Sequence, residues 1–360
     1  FPLVAHKGDA NALRGGRIYL MTLLATSIGL FLVAIIWTAS VAGSMDFVPG
    51  GLLAGAEGLT PVVASALLIL FAFGIGKAAL MPVHFWLPNA MVAPTPVSAL
   101  LHAVAVVKAG VFTMAKVGLY VFGIDLLKET PARDFVLFVA CFTIVVASLI
   151  ALTKDDLKAR LAYSTVGQLA YVTAGVMLAN QAGMMGGALQ IPAHAFGKMT
   201  LFMCAGAIYV AAHKTLVSEM RGLGRTMPIT FGAFFLGAMS IVGLPPLAGS
   251  WPKFFLMIGA ADAGQLAIIG ALILSSILNV IYLLSIPVQA FYMTPETDAH
   301  GRARGLNEGG ENRTGIDWGH LHEAPLLCVL PPVVTAIGAV LLFFFADPLY
   351  AYLSPLMETR

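Results

Sequence analysis

Five lysines interrupt stretches of sequence that are otherwise free of charge: Lys77, Lys108, Lys116, Lys198 and Lys253. An ammonium group at the centre of a membrane helix costs about 2.5–3.5 kcal/mol on insertion scales, so five cost about 12–18 kcal/mol before pairing or hydration. No Asp or Glu shares these stretches. A lysine in a low-dielectric setting gains or loses its proton in response to neighbouring charge, which is what a proton relay requires. Histidine adds a second group that titrates near neutral pH. His194 and Lys198, in QIPAHAFGK, stand four apart on one helical face. His102 precedes Lys108 by six residues, which puts the two on different faces; Lys116, fourteen residues on, is closer to alignment with His102.

Two of the lysines adjoin helix breakers. Lys77 comes just before Pro82 and Pro88 in GIGKAALMPVHFWLPNAM, and Lys253 just after Pro245 and Pro246 in GLPPLAGSWPK. A broken membrane helix leaves backbone groups unpaired, which is tolerated where they line a buried or watery cavity. Such a break hydrates the membrane midplane, and the lysine beside it carries charge there. Simpler roles stand beside this one. A lysine near a span end, Lys116 above all, can snorkel to the interface, and a Pro/Gly break can serve packing alone.

The elements that must hold these groups are membrane helices. Hydrophobic residues make up 59% of the 360 and charged residues 11%, against about 25% charged in a soluble domain. Apolar runs near the roughly 20 residues needed to cross a bilayer recur along the chain. The pattern predicts an all-α polytopic membrane protein with about nine spans: 18–43, 59–81, 95–123, 135–153, 161–179, 185–212, 228–258, 266–292 and 325–346. A Gly-rich, charged loop over 294–324 separates the last two. Twelve lysines and arginines outside the spans fall on one side of this map and three (Lys128, Arg133 and Arg360) on the other. Cytoplasmic loops are the Lys/Arg-rich ones, so residue 1 and the long loop face the cytoplasm and the C-terminus faces outward. By this topology the span with Lys77 runs inward and the span with Lys253 outward. Interrupted spans of opposite direction are the mark of inverted repeats around a transport site. The expected division is 1–130 for the end of a first repeat, 131–293 for a second, 294–324 for the loop and 325–360 for the last span and C-terminus. In such a pair Lys253 serves the outer half of a relay and Lys77 the inner half. The opening FPLVAHKGDANALRGG has a loop's polarity and reads as a fragment or processed chain starting between two helices.

Other chemistry finds little support. A net charge of +2 points away from nucleic acid. Cys141, Cys204 and Cys328 stand singly, without a CxxC spacing. No phosphate loop, haem pattern, iron–sulfur set, or other redox or hydrolytic site is legible, and neither a cofactor nor a resident metal is expected. His320, His322 and Glu323 lack a fourth ligand, and the sequon at Asn312 falls on the cytoplasmic side.

The segment GKAALMPVHFWLPNAMVAPTPVSALLHAVAVVKAGVF resembles the antiporter-like membrane subunits shared by Mrp-type cation/proton antiporters and respiratory complex I. The resemblance continues through LKARLAYSTVGQLAYV, IPAHAFGKMTLFMCAGAIY and GLPPLAGSWPKFFL. It implies a core of fourteen helices with two inverted five-helix repeats, of which the nine spans would be the sixth to fourteenth. It implies that Lys77 lies on the broken seventh helix, Lys108 on the eighth, His194 and Lys198 on the eleventh, and Lys253 on the broken twelfth, together forming a polar midplane axis. A glutamate of the family's fifth helix would pair with Lys77, and five more spans are expected upstream. Gln190 stands where one branch has a second histidine, and Lys253 where some complex I subunits have glutamate. With the short C-terminus, these departures favour an Mrp subunit of the D type. The implied function is proton translocation in a multi-subunit Na⁺/H⁺ antiporter of the inner or plasma membrane, with other membrane subunits and the lipid bilayer as partners. The alternative is the same module in an NADH–quinone oxidoreductase or membrane-bound hydrogenase.

Overall fold

The computed structural model describes residues 1–294 and 321–357. Arg302, Arg304, Arg313, the sequon at Asn312, His320 and Arg360 lie outside the described residues. Among the described residues the regular structure is helical, with one isolated bridge between Asp156 and Leu216. Among the described residues six helices are long and apolar enough to cross a membrane: α1 (Ala10–Ala42), α3 (Thr95–Phe122), α4 (Ala132–Thr153), α6 (Gln181–Ala212), α9 (Leu266–Tyr292) and α10 (Leu326–Phe344). The three other expected spans each take a distinct form. Two are broken: α2 (Pro61–Gly74) stops before Lys77, and α7 (Pro228–Val242) and α8 (Ser250–Asp262) flank the second break. The third, α5 (Leu157–Met177), carries a string of polar side chains and is buried all round from Ser164 to Met177. A last helix, α11 (Ala346–Met357), follows the final span.

Side chains set the helix starts. Asp9, Thr60, Asp156 and Asn180 each accept a hydrogen bond from a backbone amide in the first turn of α1, α2, α5 and α6, the usual N-cap arrangement. Pro61 and Pro228 occupy first-turn positions where a missing N–H costs nothing. Glu323 reaches from outside the bundle to cap α7, accepting from the Ile229 amide at 2.6 Å and the Thr230 hydroxyl at 2.6 Å. This is the use the structure finds for a residue that sits beside two histidines in sequence.

Small residues bring α5, α6 and α8 together at the centre. A methyl group on Gly175 would lie 2.6 Å from the Gly183 carbonyl, one on Gly186 would lie 2.8 Å from the Leu256 amide, and one on Gly259 would lie 2.5 Å from the Gly183 amide. Membrane helices pack tightly where small residues let backbones approach. The outer faces are apolar and exposed, as at Val62, Phe138 and Leu266.

Both breaks are seated over glycines. A Cβ on Gly110 of α3 would lie 2.4 Å from the Lys77 carbonyl carbon, so its absence lets the first break lie flat on α3. The break is pinned by Trp86, whose indole donates to the Gly76 carbonyl at 2.9 Å. At the second break, Gly243 caps α7 with φ +86, and a Cβ there would lie 2.6 Å from Cδ of Lys253. Gly243 therefore serves as both the left-handed cap and the passage for the lysine stem.

Candidate functional site: a buried polar row

Three of the five lysines turn inward. Lys198 is fully buried, and Lys108 and Lys253 are under a tenth exposed. Lys108 Nζ of α3 stands 2.6 Å from His194 Nδ1 of α6. At that distance one nitrogen donates and the other accepts. Two full positive charges 2.6 Å apart would repel by about 6 kcal/mol at an effective dielectric of about 20, so the pair holds at most one ionising proton between its two bases. The other ring nitrogen, Nε2, is buried and makes no hydrogen bond to a described residue.

His194 lies within electrostatic reach of Lys108, Lys198 and His102. Lys198 Nζ donates to the Leu161 carbonyl at 3.2 Å. His102 is fully buried against Phe202, with ring centroids 5.3 Å apart, and both its nitrogens lack a described partner. The six-residue spacing suggests different faces for His102 and Lys108. A π-helical turn over Leu100–Val104 and a bend at Ala105 lie between them; Lys108 touches His194, while His102 lies within its electrostatic reach.

The row continues through amides. Gln190, one turn before His194, donates to Gln168 of α5 at 2.7 Å. Tyr171 follows Gln168 by three residues on the same helix face, and its ring lies 5.4 Å from Lys253 Nζ. Lys253 donates to the Val242 carbonyl, freed where α7 ends at the break, and to Ser276 Oγ at 2.8 Å. From Lys108 to Lys253, titratable or hydrogen-bonding groups thus cross the bundle through α3, α6, α5 and α8. Gln168 and Tyr171 are members that sequence reasoning missed. Their signal was present, since Ser164, Gln168 and Tyr171 repeat at i, i+4, i+7 along one face of an apolar helix.

The other two lysines lie outside this row. Lys77 is exposed at the first break. Lys116 is half-buried at the far end of α3, with Nζ 3.7 Å from the centre of the Phe47 ring. It sits against the loop after α1 rather than facing His102. Pro82 and Pro88 lie in the irregular stretch after Lys77, and Pro245 and Pro246 between α7 and α8.

A bundle of membrane helices, two of them broken, encloses a row of lysines, histidines and amides, which sets the class: a polytopic membrane protein with a buried polar axis. Residues 1–279 match the family described as NADH:quinone oxidoreductase/Mrp antiporter, TM, and the chain belongs to that family. It is 34% identical over 289 residues to NADH-quinone oxidoreductase subunit L of Rickettsia bellii, a match covering 80% of this chain and 40% of that one. It is 38% identical over 231 residues to NAD(P)H-quinone oxidoreductase chain 5 of Synechocystis sp., covering 59% and 32%. Among solved structures, a chain of the Mrp complex from Dietzia sp. superposes with a TM-score of 0.78 at 25% identity, over 97% of this chain and 68% of that one. The chain therefore spans less than half the length of these two sequence relatives.

Proposed function

We propose that this chain translocates protons along the buried row as an antiporter-like subunit of a larger assembly in the inner or plasma membrane. The observation that carries this reading is the Lys108–His194 contact at 2.6 Å. A proton delivered to Lys108 passes to His194 Nδ1, and the imidazolium releases its other proton from Nε2 toward Lys198 or the Gln190–Gln168 amides. A lysine that has given up its proton is ready to receive the next. Lys253, anchored at the second break, is the far terminus. Lys77, exposed at the first break and outside the row, is where an acidic group of a neighbouring membrane helix would pair, as the family resemblance implies. Inverted repeats over 1–130 and 131–293 are supported by the two breaks, each beside a lysine and each seated over a glycine.

The assembly we propose first is an Mrp-type antiporter exchanging sodium or another monovalent cation for protons, supported by the match to the Mrp complex. A second reading, a proton-pumping subunit of a quinone oxidoreductase, is favoured by the names of the sequence relatives. The intact complex, purified through a tag on this chain and reconstituted in vesicles, separates the two. Proton movement driven by a sodium gradient supports the first, and movement driven by electron transfer to quinone supports the second. If Lys108→Gln leaves either flux unchanged at normal complex abundance, the proton-relay reading fails.

A further inference from the structure

Beyond Lys253, a second set of buried polar groups leaves the row at an angle, between α4, α5 and α9. Ser276 accepts from Lys253 at 2.8 Å. Tyr171 Oη lies near Ser275 and Ser276 without closing a well-formed hydrogen bond to either. Ser275 is 2.9 Å from Ser148 Oγ on α4. Tyr282 Oη bonds Asn279 and lies near Ser148 and Ser164. The Tyr282 carbonyl in turn accepts from the Arg160 guanidinium at 3.1 Å, and Arg160 is only half-buried.

Tyr171, Ser275, Ser148, Asn279, Ser164 and Tyr282 are each at most 2% exposed. Their depths are ordered. Arg160 begins α5 on the side that the Lys/Arg distribution assigns to the cytoplasm, Ser164 lies one turn deeper, and Tyr171 about three turns deeper. Buried hydroxyls and amides are costly unless paired, yet Tyr171 Oη, Ser164 Oγ and Asn279 Nδ2 have no partner of good geometry among the described residues. Packing alone would use apolar side chains here. Unpaired groups along a line of paired ones are what bridging water needs, since a buried water takes two to four polar partners.

We propose that these hydroxyls and the water they hold form a proton path joining Lys253 to the cytoplasmic face at Arg160. The proposal rests on the relay reading above and adds a branch to it. It also gives Lys253 an inward connection, where the inverted-repeat argument assigns it the outer half. Each hydroxyl oxygen takes a proton from one neighbour and passes its own to the next, and then reorients. Charge moves along the line, and every group returns to its starting composition. Arg160 stays protonated and holds the mouth through the Tyr282 carbonyl.

The test uses the intact complex in vesicles, with Tyr282→Phe, Ser275→Ala and Lys253→Gln compared with Tyr292→Phe, an exposed tyrosine on the same helix. Tyr282→Phe and Ser275→Ala should each lower proton flux at least about tenfold, less than the about 10²-fold or more of a positioned acid–base group, because neighbouring water takes over part of the path. Complex abundance and thermal stability should stay normal, and the slowing by D₂O should deepen because one proton hop becomes limiting. A purely structural role would move abundance or stability and leave the isotope ratio where it was. Unchanged flux in both hydroxyl variants, with Lys253→Gln inactive, overturns the branch and spares the relay. Lost flux with an unchanged isotope ratio also overturns it. Normal flux in Lys253→Gln removes the relay reading itself.

Discussion

His194 is the residue on which the relay can be tested most sharply, because its two functions separate by substitution. Its Nδ1 shares a hydrogen bond with the buried Lys108 amine, and its ring can carry a proton. Glutamine keeps the first function, since its carbonyl oxygen can replace Nδ1 as acceptor for Lys108, but not the second. Leucine keeps neither. In His194→Gln, Lys108 stays satisfied and complex abundance should match that of the parent. Proton flux should fall by about 10²-fold or more, the range for removing a positioned acid–base group. In His194→Leu the same loss of flux should be accompanied by destabilisation of about 1.5–3 kcal/mol, the scale of a lost hydrogen bond to a charged partner. The assay is dye-reported proton uptake in vesicles at matched complex content, with thermal unfolding followed separately. If His194→Gln transports at the parent rate, the 2.6 Å contact is a structural hydrogen bond and the sequence of transfers proposed through Nε2 is wrong.

At Lys253, glutamine should leave the fold intact, since it lowers an insertion cost, while flux falls sharply; arginine should fail too, because it does not release its proton, and free substitution by arginine would mark a mere anchor. Lys77→Ala should abolish coupled transport while complex abundance stays intact, and unchanged pH-gradient activity in vesicles would refute a role for the first break. Glu323→Ala should destabilise the chain by about 0.5–2 kcal/mol through loss of the α7 cap, leaving flux per folded complex unaltered. Gly186→Val should prevent assembly, because even a methyl group there would lie 2.8 Å from the Leu256 amide; normal complex levels would show that α6 and α8 can move apart.

What the sequence made legible, and what it hid, follows from what one dimension can record. A charge inside an apolar run and a cluster of prolines are visible without knowing any neighbour, so the lysines within the spans, both breaks and the approximate spans could be read directly. Which lysines share a room could not. Lys108, Lys116 and Lys198 present the same signal, an ammonium in an uncharged run. Only packing turns Lys108 and Lys198 inward and leaves Lys116 over Phe47. Spacing alone did not say which groups His102 would meet, and the π turn at Leu100–Val104 departs from the roughly 3.6-residue period on which helical phase rests.

The hydroxyl line between α4, α5 and α9 was harder still, because serine in a membrane helix ordinarily bonds its own backbone and tyrosine reads as one more aromatic. Their spacing is the informative part. Ser275, Asn279 and Tyr282 repeat at i, i+4, i+7 on α9, just as Ser164, Gln168 and Tyr171 do on α5. A lone polar residue in a span can satisfy itself locally. A stripe two turns long on one face needs a second stripe opposite, and here the two meet around Tyr171 and Tyr282. The distinction bears on mechanism. The lysines and histidines hold protons at fixed stations, but ammonium groups on separate helices connect only through something that both donates and accepts. Hydroxyls, amides and water do that, and lysine in its charged form does not. The proposed translocation therefore rests as much on the neutral stripes as on the charges that first announce it.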